Sequence, residues 1–170
     1  MNLKIKSKKI LSKMYNKLNL SNAYFVHRDY HVQNLMKVGK KIGVIDSQDA
    51  LIGNPAYDLV SLIDDVRIKT SIKLKNQIYN YYLKKNSKIY KTNSNKFLED
   101  FKILSVQRSL KIIGIFSRLF IRDKKKRYLK FIPYTWRLLE MRMDSEIFSE
   151  LKKMFDRNIS RKIRRKIILK

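Results

Sequence analysis

The stretch from Phe25 to Leu62, FVHRDYHVQNLMKVGKKIGVIDSQDALIGNPAYDLVSL, constrains this chain more than any other. Two short apolar runs, Leu35-Met36-Lys37-Val38 and Ile42-Gly43-Val44-Ile45, flank Gly39-Lys40-Lys41. Runs of this length around a glycine-containing link predict a β-hairpin. Strand pairing then decides what meets at its open end. Asn34 precedes the first run and Asp46 follows the second, so a hairpin sets one carboxamide beside one carboxylate. Asp29 precedes Asn34 on the same loop.

That pair of oxygen donors suits a hard cation. Mg²⁺ takes near-octahedral oxygen ligands, commonly one or two carboxylates completed by phosphate oxygens and water. Phosphoryl transfer asks a protein mainly for positioning and charge neutralisation. A carboxylate held near the acceptor hydroxyl adds a general base, an effect of about 10²–10⁴ in rate. Each piece alone is weak, because an Asp ending a strand often serves a turn or a helix cap. Several roles at compatible spacing carry more weight than any one match.

His27-Arg28-Asp29, four residues and Asn34 resemble the H-R-D-x-x-x-x-N catalytic loop of protein kinases. Asp46-Ser47-Gln48-Asp49-Ala50, Gly53, Pro55 and Tyr57-Asp58-Leu59 are similar to the aminoglycoside phosphotransferase/choline kinase family. Within it, HRDYHVQNLM, IDSQDA and YDLVSL most resemble the bacterial anomeric sugar kinases of cell-wall recycling, which act on N-acetylmuramate and N-acetylglucosamine. Gln107-Arg108-Ser109-Leu110-Lys111, Gly114-Ile115-Phe116, Arg118-Leu119 and Arg122-Asp123 resemble the same subgroup.

The resemblance implies an α+β, predominantly α-helical fold: a protein-kinase-like carboxy-terminal lobe with a small catalytic β-hairpin and no amino-terminal lobe. It implies ATP and Mg²⁺ as cofactors and an amino-sugar hydroxyl as acceptor. Asp29 takes the role of base, and Asn34 and Asp46 those of magnesium ligands. His27 holds the loop by hydrogen bonds and packing, and Asp58 supports it. His31, Gln48, Asp49, Asp65 and Arg108 are candidates for substrate contact. Each has a plainer reading. His31 packs, Gln48 and Asp49 satisfy loop backbone, Asp65 sits on a solvated helix face, and Arg108 lies at the edge of a core with its head wet. Ser47 stands where the subgroup has an aromatic residue, which predicts lighter packing behind Asp46.

The glycines, Gly39, Gly43, Gly53 and Gly114, form no G-x-G-x-x-G loop, and no strand offers a V-A-I-K-type lysine. The expectation is weak ATP binding by this chain alone. It would then be a truncated or split kinase, exposing an apolar patch to a separate amino-terminal lobe. By size the 170 residues make one domain, with a catalytic block at 25–62 and a helical, substrate-side region at 63–170.

The formal charge of +26 supports a second reading, a non-catalytic nucleic-acid or anionic-surface binding protein on a kinase-like scaffold. The lysines are spread along the chain rather than gathered in a stripe, and no nucleic-acid-binding motif accompanies them. A solvated lysine-rich surface with nonspecific attraction for polyanions is the preferred explanation. The absence of cysteine fits a cytoplasmic location and excludes disulfides and thiolate metal sites. No apolar run approaches the ~18 residues of a membrane span, and the basic start lacks the apolar stretch of a signal peptide.

Periodicity predicts helices over 3–18, 57–68, 72–83, 96–121, 128–143 (interrupted at Pro133) and 145–155. Tyr24-Phe25-Val26 reads as a buried strand, Gly53-Asn54-Pro55 as a turn, 86–95 as a polar loop and 122–127 as a charged linker. In the tail, 157–170, Ile159, Ile163 and Ile167 form an apolar stripe suited to packing as a last helix, or to an anionic membrane. Gly114, inside the longest helix, costs about 1 kcal/mol relative to Ala, which predicts close packing there.

Overall fold

A computed structural model describes residues 3–86, 88 and 94–166. The expected polar loop at 87 and 89–93, and the tail from Ile167, lie outside the described residues. The chain is mostly helical, with two small antiparallel sheets. Its contacts divide it into two units, 19–105 and 1–18 with 106–170.

The first unit holds both sheets. β1 (Tyr24–Val26) pairs with β4 (Leu51–Gly53), and β2 (Leu35–Val38) pairs with β3 (Lys41–Val44). The hairpin turn is Gly39-Lys40 rather than three residues, because Lys41 pairs with Val38. Gly39 has φ +59°, which glycine adopts without steric cost and which two-residue hairpin turns require. The ladder runs on past the strands, where the Ile45 N–H donates to the Asn34 carbonyl at 3.1 Å. Both hairpin strands are largely bare: Met36, Val38, Ile42 and Val44 are all exposed.

β4 replaces part of the expected turn. Gly53 belongs to the strand, opposite Tyr24. A Cβ there would come within 3.3 Å of Val26 Cγ2 and 3.0 Å of Leu51 Cδ1, so the close approach favours glycine. β1 is not the buried strand its apolar sequence suggests. Val26 is buried, but Phe25 is 67% exposed. An edge two strands wide has cover on one face only.

α2 (Ala56–Ile63) buries Leu59, Val60 and Ile63, and stops at Asp64 instead of running to 68. Asp64 and Asp65 are both buried, which corrects the solvated face expected for Asp65. A buried carboxylate needs partners. Asp64 accepts from Lys75 Nζ at 3.1 Å and from Ser105 Oγ at 2.6 Å. Lys75, itself buried, also donates to the Ile63 carbonyl. α3 (Ile72–Lys85) starts at Ser71, whose hydroxyl accepts the Leu74 N–H. Tyr79 and Tyr82 of α3 pack on Phe101 and Phe97 of α4 (Ser94–Ile121). On the same helix the fully buried Asp100 accepts from the backbone of Asn19 and Leu20 at 2.8 and 2.9 Å and from Asn54 Nδ2 at 2.7 Å.

α4 passes from one unit to the other after Ser105. In the second unit its Phe116 stacks on Tyr128, which lies in a 3₁₀ segment, Lys126–Phe131. α5 (Ile132–Arg142) begins with Pro133 in its first turn. The proline therefore opens this helix rather than interrupting one, since its missing N–H costs nothing there. α1 (Leu3–Tyr15) buries Ile10 and Met14, one turn apart, against α6 (Ser149–Asn158), which buries Leu151, Met154 and Phe155. α7 (Arg161–Arg165) inverts the expected stripe: Ile163 is 57% exposed and Arg164 is buried. The Arg164 guanidinium lies over Trp136 and donates to Glu140 at 3.0 Å and Asp156 at 2.8 Å. Two carboxylates and an aromatic face satisfy it better than they would an aliphatic chain. Gly114 has nothing within 4 Å of a built Cβ, so close packing is not its reason, and nothing in the structure explains it. No described helix is long and apolar enough to cross a membrane.

Candidate active site

All the candidate site residues except Arg108 lie in the 19–105 unit. β1 delivers the chain to His27, which is buried. Its Nε2 donates to the Ile45 carbonyl at 3.0 Å, so it joins the loop to the far strand of the hairpin. Its ring meets Tyr30 edge to face. Nδ1 has no partner among the described residues.

Arg28 has φ +73°, a left-handed conformation that costs a non-glycine residue on the order of 1 kcal/mol or more. Surrounding contacts hold it there. Asp58, in the first turn of α2, accepts the His27 N–H at 2.7 Å and the Arg28 N–H at 2.9 Å through its two oxygens. Arg28 Nη1 donates to the Asp49 carbonyl at 3.2 Å. Asp29 follows, half-buried. Its carbonyl accepts from the His31 N–H at 2.9 Å and from Asn34 Nδ2 at 3.0 Å. Its carboxylate takes no hydrogen bond from a described residue.

A single 3₁₀ turn, Val32–Asn34, aims Asn34 at the hairpin's open end. There Asn34 Nδ2 lies 3.4 Å from Asp46 Oδ2. Asp46, past the end of β3, also has a left-handed backbone, φ +69°. Gln48 Nε2 donates to its other oxygen at 2.7 Å. Asp46 is thus aimed by two amides, and Ser47 beside it is exposed. Arg28 and Asp46, the two non-glycine residues with positive φ among the described residues of this unit, bracket the loop, and such conformations concentrate at functional sites.

Asn34 and Asp46 offer a carboxamide and a carboxylate in contact. That donor set fits a hard cation whose remaining ligands come from phosphate and water. No cluster of three His, Cys, Asp or Glu side chains that could hold a metal occurs among the described residues.

The substrate candidates fall in different places. His31 is buried, and its carbonyl accepts the Asn34 N–H at 2.9 Å. Gln48 and Asp49 are exposed, and both join the loop's hydrogen bonds. Asp65 accepts the Arg67 N–H at 3.0 Å through Oδ1, while its buried Oδ2 has no described partner. Arg108 is buried on the part of α4 that belongs to the other unit. Sequence reasoning missed Asn54. Its Oδ1 accepts the Ala56 N–H at 3.0 Å, at the start of the helix that carries Asp58, and its Nδ2 reaches Asp100. The signal available was an Asp in the apolar face of the longest helix, which demands a buried partner.

Residues 11–90 match the phosphotransferase enzyme family. The N-acetylmuramate/N-acetylglucosamine kinase of Caulobacter vibrioides is 35% identical over 146 residues, 83% of this chain and 39% of the relative. The proteins of the same name from Pseudomonas aeruginosa and Neisseria meningitidis are 40% identical over 119 residues and 39% identical over 112. These matches cover 68% and 64% of this chain, and 35% and 34% of the relatives. The chain therefore spans well under half the length of the relatives it matches.

Proposed function

We propose, from the premise that residues 11–90 belong to the phosphotransferase enzyme family, that this chain carries the acceptor-activating and metal-binding half of an ATP-dependent sugar kinase. The observation that carries the reading is the meeting of Asn34 and Asp46, beside a loop whose Asp29 carboxylate is uncommitted. The acceptor is an amino-sugar hydroxyl of the kind named by the relatives, N-acetylmuramate or N-acetylglucosamine. Such an activity belongs to cell-wall recycling in the cytoplasm.

Asp29 orients the acceptor hydroxyl and takes its proton as the oxygen attacks the terminal phosphorus of ATP and ADP departs. Asn34 and Asp46 are the residues that would hold Mg²⁺. When bound, the ion neutralises phosphate charge. Asp58 and His27 keep the loop in its strained conformation, so that Asp29 is aimed before substrate arrives. His31, Gln48, Asp49, Asp65 and Arg108 remain the candidates for holding the sugar. Residues 1–170 act in this reading as one domain, a kinase-like carboxy-terminal lobe.

An amino-terminal lobe, in the same polypeptide or a separate one, completes the nucleotide site. The bare aliphatic side chains of β2 and β3, and the greater length of the relatives, support it. A non-catalytic polyanion binder is not favoured by the relatives.

The test is turnover of N-acetylmuramate and N-acetylglucosamine with Mg·ATP, by the chain alone and with the remaining segment of the Caulobacter vibrioides relative added. Asp29→Ala abolishes turnover and leaves the melting temperature unchanged. Turnover that survives this substitution rejects the assignment.

A further inference from the structure

The candidate site residues, Arg108 apart, occupy the 19–105 unit, but most of the charge does not. Residues 1–18 and 106–170 carry 26 of the 40 Lys and Arg and 6 of the 14 Asp and Glu, so a formal +20 of the +26 belongs to the second unit. Charge by itself attracts any polyanion. The exposed apolar side chains of this unit narrow the choice. Among its described residues the large ones are Leu3, Ile5, Ile121 and Ile163, and each has a Lys or Arg beside it in the chain. No aromatic side chain joins them. Single-stranded nucleic acid is held largely by bases stacked on aromatic rings. Aliphatic side chains among cations suit instead the boundary of a bilayer, where acyl chains take the one and anionic headgroups the other.

At α7 this pattern has a fixed geometry. Arg164, buried over Trp136 and bonded to Glu140 and Asp156, pins the helix, and Ile163 is left 57% exposed. Arg161, Lys162, Arg165 and Lys166 are exposed around it. Glu140 and Asp156 are taken up by Arg164 and Arg165. Arg161, Lys162 and Lys166 form no ion pair among the described residues, so their charge is left for a partner. We infer that α7 is a membrane-contact element: Ile163 enters the interface of an anionic bilayer while Arg161, Lys162 and Lys166 pair with lipid phosphates. A helix this short suffices because Arg164 orders it on folding, before any lipid is met. The contact goes beyond the kinase reading and does not rest on it, since none of these residues belongs to the catalytic loop.

The experiment is co-sedimentation of the full chain with vesicles of phosphatidylglycerol and phosphatidylcholine in equal parts, and with vesicles of phosphatidylcholine alone, at physiological ionic strength. The chain is expected to bind the anionic vesicles and to bind the neutral ones roughly tenfold less. Ile163→Ser keeps every charge and lowers partitioning about fivefold, and Ile163→Leu restores it. The double variant Arg161→Gln/Lys162→Gln lowers it about 20-fold, from roughly fivefold for each basic residue near the surface. The chain has no cysteine, so Ile163→Cys takes a single environment-sensitive fluorophore. Its emission is expected to shift to the blue on the anionic vesicles. No binding by the parent, an emission that stays at its aqueous wavelength, or Ile163→Ser binding as the parent does would overturn the contact and leave only attraction by net charge. Single-stranded RNA bound more tightly than the vesicles, and unaffected by Ile163→Ser, would assign the surface to nucleic acid and overturn it as well.

Discussion

The Asp58 carboxylate accepts the His27 backbone N–H at 2.7 Å, and its second oxygen accepts the neighbouring Arg28 N–H at 2.9 Å. One side chain on a helix thereby sets the backbone of a loop 30 residues earlier in the sequence. Arg28 keeps a positive φ because this carboxylate compensates it. Asp58→Ala leaves two amides without their acceptor and lowers stability by about 1–3 kcal/mol. Hydrogen exchange of the His27 and Arg28 amides speeds up at least tenfold. Unchanged exchange would show that other contacts hold the loop.

Lys75 and Asp64 form a buried pair, 3.1 Å apart, with Ser105 donating to the same carboxylate. Removing one partner of a buried pair strands the other charge. Lys75→Met therefore costs about 3–5 kcal/mol in urea unfolding. The double variant Lys75→Met/Asp64→Asn recovers part of that loss, because no charge is then left unpaired. A double variant no more stable than the single one would place the cost in lost packing.

Burial works to raise the Glu140 pKa, but hydrogen bonds from Arg164 and Arg165 outweigh it and leave the carboxyl below its ordinary value. A carboxyl whose pKa is depressed on folding stabilises the protein above its unfolded pKa, about 4.3 for Glu. That contribution fades as pH falls through the lower folded value. Stability measured from pH 6 down to pH 3 should therefore fall less steeply in Glu140→Gln than in the parent. Parallel curves would remove Glu140 from the acid response.

A methyl group added at Gly114 meets nothing within 4 Å, and the residue itself is exposed. Gly114→Ala should stabilise the chain by about 0.5–1 kcal/mol, through helix propensity and a less free unfolded chain. A lower melting temperature would reveal a contact made by the bare backbone at 114.

The catalytic block could be read from sequence because its geometry is local. Asn34 and Asp46 flank a single hairpin, and a two-residue turn with paired strands leaves little freedom in where they meet. His27 reaches Ile45 through the same hairpin. The helices around it were legible from their apolar period, although their ends were not. α2 stops at Asp64 because the Asp64 carboxylate finds Lys75 and Ser105, which no local pattern announces.

Contacts across long stretches of chain belong to tertiary structure alone. β4 exists because Leu51-Ile52-Gly53 finds Tyr24-Phe25-Val26, and only the second of these segments reads as a strand by itself. Asp100 reads as a flaw in an apolar helix face until Asn19, Leu20 and Asn54 close on it. In the tail, periodicity favoured Ile163, yet Arg164 went inside, since only folding could assemble Glu140, Asp156 and Trp136 around it. Apolar spacing reports which face of an element prefers to leave water. The partners that make a buried charge tolerable come from distant parts of the chain, so only the assembled structure decides where such a charge settles.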